Sequence, residues 1–245
     1  MLPQTVEFVS QPGRVVTTPT FDVALVLAGC GAKDGAEITE ATSLLIHLAE
    51  TGLRVRVFAP DRPSVHTVNH LTGEIHAQGR SILVEAARIA RGKVEPLDLL
   101  KAQEFDALVF AGGFGVAKNL CNFAFAGADA SLAEDVKAVL ADFQHHGRAM
   151  GALCIAPLLL ALHAREQSLK GACITLGDGS AKAAVAAAEA WGVQHIACPV
   201  RQAVVDKRNK WVSAPAYMYD SATPGDVYAS AGALVRGLRQ LIVGN

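Results

Sequence analysis

Short apolar runs alternate with stretches of helical periodicity along most of the chain. Three runs have the length and composition of buried strands: Asp22–Ala28, Asp106–Ala111 and Ala149–Leu153. Arg54–Ala59 is a further predicted strand, which Pro60 ends. Helices are predicted between and after them, with Ala41, Leu44, Leu45 and Leu48 on one face of the first, then over Ile82–Arg91, Leu132–Phe143, Ala181–Trp191 and from Thr223 to about Ile242. This alternation predicts one α/β domain with a mainly parallel sheet and helices on both faces.

The C-terminal third and one long connection are less regular. Ala172–Leu176 is a further predicted strand, and His195–Val205 with Trp211–Ser213 is interpreted as a hairpin or a pair of strands. The segment from Pro60 to Gly79 is polar and long for a connection, which is typical of a functional insertion.

The first 20 residues are polar and are interpreted as an N-terminal extension, so the domain is expected to span residues 21–245. They lack the apolar segment of a signal peptide and have a poor composition for a transit peptide. No apolar run reaches the length of a membrane span, and no membrane association is expected. The cytoplasm is the predicted compartment, with a mitochondrion or another organelle left open.

Composition narrows the choice of partners. Apolar residues make up 51% of the chain and the net charge is −1, so the chain can build a core but lacks the basic excess of a nucleic-acid-binding protein. The five cysteines include no C-x-x-C pair and are predicted to be reduced thiols. The eight histidines have no zinc-type spacing, so no metal is expected.

Cys154 follows a predicted strand and precedes a helix that Pro157 suits as a first-turn residue. The residues two before and two after it are Ala152 and Ala156, as in a nucleophile elbow, where larger side chains would collide. A helix N-terminus would also favour the reactive thiolate. The alternative is a core cysteine, since cysteine is among the most buried residue types.

A second turn at a strand end, Gly29–Gly35, resembles a dinucleotide-binding loop, with Asp61 as the acidic partner. Its third glycine comes one residue too late for that motif. Cys30 within this turn could line the same pocket as Cys154. Glu37 and Glu40 begin the next helix, either as complements to the helix dipole or with one of them as a general acid/base.

A third turn, at Gly112-Gly113-Phe114-Gly115, follows another predicted strand. It has no Lys-Ser/Thr after it, so it is not a Walker-type phosphate loop. Consecutive glycines at a strand end either form a flexible turn or expose backbone N–H groups that can bind an oxyanion. Lys118 and Asn119 follow within reach of the same rim.

Together these segments resemble the DJ-1/PfpI superfamily, which is related to class I glutamine amidotransferase domains, and within it the ES1 and enhancing-lycopene-biosynthesis subfamily. The resemblance runs from about Val23 to the last helix. It is carried by AGCG at 28–31, DGAEITEA at 34–41, FAPD at 58–61, NHLTGE at 69–74, EAARIARG at 85–92, GGFGVAKNL at 112–120, CIAP at 154–157 and APAYM at 214–218.

The resemblance implies a flavodoxin-like fold and a site in which Cys154 is the nucleophile, Glu40 hydrogen-bonds it and Gly113 supplies a backbone donor. Gly112, Cys30, Asn119, Ile155 and His70 are the further pocket candidates. Ile155 departs from the family pattern, because many members have histidine there. No His-x-Glu triplet occurs either, which argues against amidotransferase and protease activity. His70 is either a second acid/base or a surface histidine.

Three functions follow as hypotheses. The first is a glyoxalase that needs neither glutathione nor any other cofactor, with a small aldehyde as substrate. The second is a redox-sensing, stress-protective homodimer in which Cys154 is oxidised. The third is dinucleotide binding at Gly29–Gly35.

Overall fold

A seven-stranded sheet forms the centre of the protein in this computed structural model, which describes residues 21–244. The predicted N-terminal extension, residues 1–20, lies outside the described residues. The strands are β1 (Phe21–Val26), β2 (Leu53–Ala59), β3 (Thr67–Val68), β4 (Ile75–His76), β5 (Val94–Pro96), β6 (Ala107–Phe110), β7 (Ala149–Leu153), β8 (Cys173–Ile174), β9 (Gln194–His195), β10 (Val204–Asp206) and β11 (Trp211–Ala214).

The order of the central sheet is β10-β11-β7-β6-β1-β2-β5, and every pair is parallel except the edge pair β10–β11. The strands β2 and β5 lie on one side of β1. The later strands β6, β7, β11 and β10 lie on its other side. The order therefore reverses between β1 and β6, and such switch points are where open α/β sheets bind ligands.

Seven α-helices flank the sheet in the described chain: α1 (Ile38–Glu50), α2 (Ile82–Ile89), α3 (Phe123–Ala126), α4 (Glu134–His145), α5 (Pro157–Glu166), α6 (Lys182–Ala190) and α7 (Pro224–Val243). Helix α1 packs against α2 and α7, while α5 packs against α4 and α6. Right-handed crossovers place these two groups on opposite faces of the sheet. Residues 23–26 of β1 are fully buried, as expected for a strand covered on both sides.

The parallel sheet and its covering helices confirm the predicted fold class, a flavodoxin-like α/β sandwich. The prediction missed β5, which has only three residues and contains Glu95 and Pro96. The predicted strand Ala172–Leu176 shrinks to β8, which pairs with β9 in a separate small sheet.

The predicted strand His195–Val205 is also wrong over most of its length. Only His195, at the end of β9, and residues 204–205 of β10 are in strands. Pro199 lies in the middle of this segment, and proline has no N–H to donate to a strand ladder. The hairpin itself is present, as the antiparallel pair of β10 and β11.

The long connection after β2 contains a short antiparallel hairpin, β3–β4, rather than an irregular loop alone. No helix within residues 21–244 is both long and apolar enough to cross a membrane.

Candidate functional site

Cys154 lies in the turn between β7 and α5, with its side chain almost completely buried. Its φ is 61°, a left-handed conformation that non-glycine residues rarely adopt and that clusters at active sites. The Cys154 N–H donates to Ala214 O at 2.9 Å, which ties the turn to the end of the neighbouring strand β11. Ala152 and Ala156 on either side are fully buried, so the turn has the small neighbours that a nucleophile elbow requires.

Glu40 reaches the same point from the first turn of α1 and is fully buried. Its Oε1 accepts the Tyr217 N–H at 3.3 Å, and its own N–H donates to the Glu37 carboxylate at 2.7 Å. Its Oε2 has no hydrogen-bond partner that meets the same geometric limits, but interactions of the carboxyl with the Cys154 thiol and the Gly112 N–H lower the pKa of Glu40.

Gly112 lies between the carboxyl and the cysteine. A Cβ atom at this position would be 2.3 Å from Glu40 Oε2 and 2.5 Å from Cys154 Cβ. Both distances are far below van der Waals contact, so only glycine allows the two side chains to approach each other here.

Burial raises the pKa values of both acids. The pKa of Glu40 rises to about 8, mainly because burial penalises the carboxylate. The pKa of Cys154 is raised well above its ordinary value, first by burial and then by the Glu40 charge. The pair therefore resists losing both protons together and holds at least one at neutral pH.

The expected thiolate at the helix N-terminus is opposed by this burial. Hydrogen bonds from the backbone N–H groups of Gly113 and Ile155 do lower the pKa of Cys154, but burial and the Glu40 charge outweigh them. The two N–H groups thus mark where negative charge would be stabilised in a reaction, although they do not by themselves make Cys154 a thiolate.

Gly113 is fixed by its contact with the loop before α1. Its φ is +101°, and a Cβ there would lie 2.3 Å from Glu37 N and 2.5 Å from Gly35 O. The Glu37 N–H donates to Gly112 O at 3.0 Å, and the Gly115 N–H donates to Gly35 O at 3.0 Å. Backbone-to-backbone contacts therefore set the position of the Gly113 N–H.

A cleft of about 400 Å³ opens over the pair, and its walls are mostly apolar. It is lined by Ala32, Glu37, Glu40, Gly113, Phe114, Cys154, Ile155, Tyr217 and Met218. No lysine, arginine or histidine among the described residues lines this cleft, and its charged groups are the two carboxyls. The lining comes from the carboxyl ends of β1, β6, β7 and β11 and from the start of α1, next to the switch point between β1 and β6.

His70 does not line the cleft. Its Nε2 accepts the Lys33 N–H at 3.1 Å and its Nδ1 lies 3.0 Å from Val68 O, so Nδ1 carries the proton and both ring nitrogens are engaged. The ring anchors the β3–β4 hairpin to the loop after β1. The interpretation of His70 as a structural surface histidine fits this arrangement better than an acid/base role.

Asn119 and Cys30 also lie outside the cleft. The buried Asn119 amide donates to Ala28 O at 3.2 Å and to Asp34 O at 3.0 Å, and its oxygen accepts the Val65 N–H at 3.0 Å. Cys30 lines a different, much smaller cavity beside α2. Asn119 therefore joins three loops, and the expectation that Cys30 shares the pocket of Cys154 is wrong.

Four residues of the cleft were missed by the sequence reasoning: Ala32, Phe114, Tyr217 and Met218. Tyr217 and Met218 belong to a short 3₁₀ turn at Ala216–Met218. The APAYM segment was part of the family resemblance, but the sequence contained no signal that it reaches Glu40.

The glycine turn after β1 uses its own donors. The Gly31 N–H donates to Ala36 O at 2.8 Å, and the Gly35 N–H donates to Gly31 O at 2.7 Å. Because these N–H groups already donate to carbonyl oxygens of the same turn, they are not available to bind a phosphate, which disfavours the dinucleotide hypothesis. Within residues 21–244 no group of three or more His, Cys, Asp or Glu side chains could hold a metal ion.

Comparisons with known proteins assign the family, although no family model matches the chain. The human glutamine amidotransferase-like class 1 domain-containing protein 3, mitochondrial, is 40% identical over 234 residues, which cover 92% of this chain and 85% of that protein. The rat ES1 protein homolog, mitochondrial, is 39% identical over 231 residues, covering 91% and 85%.

Solved structures agree with this result. An isoprenoid biosynthesis protein with amidotransferase-like domain from Ehrlichia chaffeensis has a TM-score of 0.82 at 31% identity, covering 91% of this chain and 99% of that one. Glyoxalase III from Candida albicans has a TM-score of 0.56 at 14% identity, covering 90% and 98%, and so shares the fold alone. The chain belongs to the ES1 and glutamine amidotransferase-like class 1 domain-containing protein 3 family, within the DJ-1/PfpI fold.

Proposed function

We propose that the protein is a cofactor-independent glyoxalase that converts 2-oxoaldehydes such as methylglyoxal and glyoxal into 2-hydroxy acids. The observation that carries the proposal is the Cys154–Glu40 pair, which flanks Gly112 under a cleft with no cationic side chain among the residues described as lining it. A thiol, a proton-holding carboxyl and two backbone donors are the groups that this reaction needs.

The reaction begins when the Cys154 sulfur adds to the aldehyde carbon of methylglyoxal. The thiol proton ends on the former aldehyde oxygen, giving a hemithioacetal. The developing negative charge on that oxygen is stabilised by the N–H groups of Gly113 and Ile155, which already interact with the sulfur.

Glu40 then moves a proton between adjacent carbons. Its carboxylate removes the proton from the carbon bonded to sulfur, and the resulting enediol accepts a proton at the neighbouring carbon. The product is a thioester of lactate. Water attacks the thioester carbonyl, the C–S bond breaks, and lactate leaves as the Cys154 thiol is regenerated; overall, methylglyoxal and water give lactate.

The raised pKa of Glu40, about 8, has a consequence for this scheme. The carboxyl must be ionised to remove a carbon-bound proton, so kcat/KM should rise with pH up to an apparent pKa near 8 that belongs to the coupled pair.

Two other activities are less well supported. A glutamine amidotransferase must hold the α-carboxylate of glutamine, and the described cleft presents carboxyls instead of cations. The alternative of a redox sensor requires a readily formed thiolate, and the pKa of Cys154 is raised.

The first experiment is lactate formation from methylglyoxal without glutathione. Wild-type turnover is expected to disappear in Cys154→Ser and to fall by at least a hundredfold in Glu40→Gln. Cys30→Ser is the matched control and should retain full turnover, because Cys30 lines another cavity. If wild type and Cys154→Ser form lactate equally slowly, the glyoxalase proposal is refuted for this substrate.

The assembly and the compartment stay predictions. We expect a homodimer. The cytoplasm is the predicted location, and the names of the human and rat relatives, both mitochondrial, keep an organelle as the alternative.

A further inference from the structure

We propose that the preferred substrate of the Cys154 cleft is an uncharged 2-oxoaldehyde with an extended apolar substituent, which it turns over with a higher kcat/KM than glyoxal or methylglyoxal. This inference rests on the proposed glyoxalase function and specifies its substrate class. Three features of the cleft support it: its size, the chemistry of its walls and the sign of its charge.

The cleft is larger than a two- or three-carbon aldehyde can fill. Its volume is about 400 Å³, which lies in the range of pockets that bind drug-sized ligands, about 300–1,000 Å³. A three-carbon substrate held on the Cys154 sulfur would leave most of this volume to water. The free energy gained by displacing that water would then not contribute to substrate binding.

The walls beyond the reacting pair are apolar. Ile155 follows the nucleophile directly and supplies a methyl-bearing surface. Phe114 and Met218 add further apolar area, and the Phe114 side chain is 42% exposed. An exposed aromatic ring at the mouth of an apolar cleft is suited to cover a ligand that has a hydrocarbon chain.

The charge of the cleft selects against anions. Glu37 contributes a carboxylate to the lining, and Glu40 carries further negative charge when it ionises. The Lys118 ammonium lies 5.1 Å from the Phe114 ring centre and donates to Lys33 O at 2.9 Å, but it is not among the residues that line the cleft. An oxoacid in the cleft would therefore lie against carboxyl groups with no cation among the lining residues that the structure describes, whereas a neutral oxoaldehyde would meet no such repulsion.

A homologous series tests the inference: methylglyoxal, 2-oxopentanal and 2-oxoheptanal, compared by kcat/KM. Each methylene that the cleft buries should raise kcat/KM by about fourfold. Phe114→Ser should lower the ratio of 2-oxoheptanal to methylglyoxal. Phe125→Ser is the matched control, because Phe125 is also exposed but does not line the cleft, and it should keep the ratio. A ratio that is flat or falls with chain length would overturn the inference.

A second measurement separates this inference from the proposed function. If methylglyoxal is turned over and the longer aldehydes are not, the substrate class is wrong while the glyoxalase function stands. If none of the three is turned over, the function fails. In that case the ligand preference of the cleft is measured by binding alone: the rate at which iodoacetamide alkylates Cys154 is compared with and without hexanal, and with and without glyoxylate. Protection by hexanal alone supports an apolar neutral ligand, and protection by glyoxylate alone or by neither refutes it.

Discussion

Replacing Gly112 with alanine tests the geometry on which the site depends. The structure gives Gly112 a φ outside the left-handed region, so an alanine there has no intrinsic backbone strain, and the effect of the substitution is steric. The new Cβ would lie 2.3 Å from Glu40 Oε2, 2.5 Å from Cys154 Cβ and 2.8 Å from Leu153 O. Since two of these neighbours are the reacting groups, the added methyl would push them apart.

The magnitude follows from two effects. Overpacking a buried position by one methyl costs about 1–3 kcal/mol of unfolding free energy. Glu40 must also shift by about 1 Å or more to restore van der Waals contact, and a displacement of that size in a catalytic group costs about a hundredfold in rate. Gly112→Ala should therefore remain folded but lose at least a hundredfold in lactate formation.

The assay combines urea unfolding with lactate formation from methylglyoxal. Gly225→Ala is the control: its Cβ would approach nothing closer than 3.7 Å, and it lies in the first turn of α7, where alanine is favoured over glycine. The control should be as stable as wild type or slightly more stable, with unchanged turnover. If Gly112→Ala matches wild type in stability and rate, the close approach of Glu40 and Cys154 around this glycine is refuted.

Three further predictions concern charge and capping. The folded-state pKa of Glu40 is raised to about 8, so the folded state favours the protonated form of this carboxyl. The unfolding free energy, measured in urea, should therefore fall as the pH rises from about 4.5 to 8, by at most about 1.4 kcal/mol per pH unit. Glu40→Gln should show a smaller decrease over this pH range. Glu40→Gln should also speed the alkylation of Cys154 by iodoacetamide at pH 9, above the pKa of Glu40, because it removes a charge that raises the thiol pKa; slower alkylation would contradict that cause. Thr223→Ala should cost about 1 kcal/mol in urea unfolding by removing the capping box with Asp226, and an unchanged midpoint would show that the cap contributes nothing.

Much of the fold could be predicted because its signals are local. The strands β6 and β7 are continuous apolar runs, β1 is apolar after Asp22, and β2 alternates arginine with valine before Phe58 and Ala59. A glycine, a proline or the Cys154 turn follows each of them within three residues. The pattern failed where tertiary contacts decide the structure. The two-residue strand β8 is positioned partly by the Thr175 N–H, which donates to Ser213 Oγ at 2.9 Å, and no local property of residues 172–176 announces that partner.

In the candidate site too, the residues with local sequence signals could be predicted, and those placed by tertiary contacts could not. Cys154 could be predicted from its small neighbours. The sequence also limited the acid/base candidates at the start of α1 to two carboxyl groups, those of Glu37 and Glu40. Tyr217 was missed because it approaches Glu40 only when β11 pairs in parallel with β7, with Ala214 beside Leu153. That pairing joins residues about sixty positions apart, and the sequence showed only that β10 and β11 form a hairpin.

The site therefore has two layers that respond differently to substitution. At Gly35 and Gly113 an added Cβ would come within 2.3–2.4 Å of backbone atoms, and at Gly112 it would come within 2.3 Å of Glu40 Oε2 and 2.5 Å of Cys154 Cβ. The backbone contacts at Gly35 and Gly113 permit no adjustment by rotamer, so they hold the loops that carry the reacting groups in place before any substrate binds. The cleft walls at Phe114 and Ile155 are side chains that can change without moving this backbone. Substitutions in the glycine layer should alter the chemistry, whereas those in the walls should alter which aldehyde is accepted.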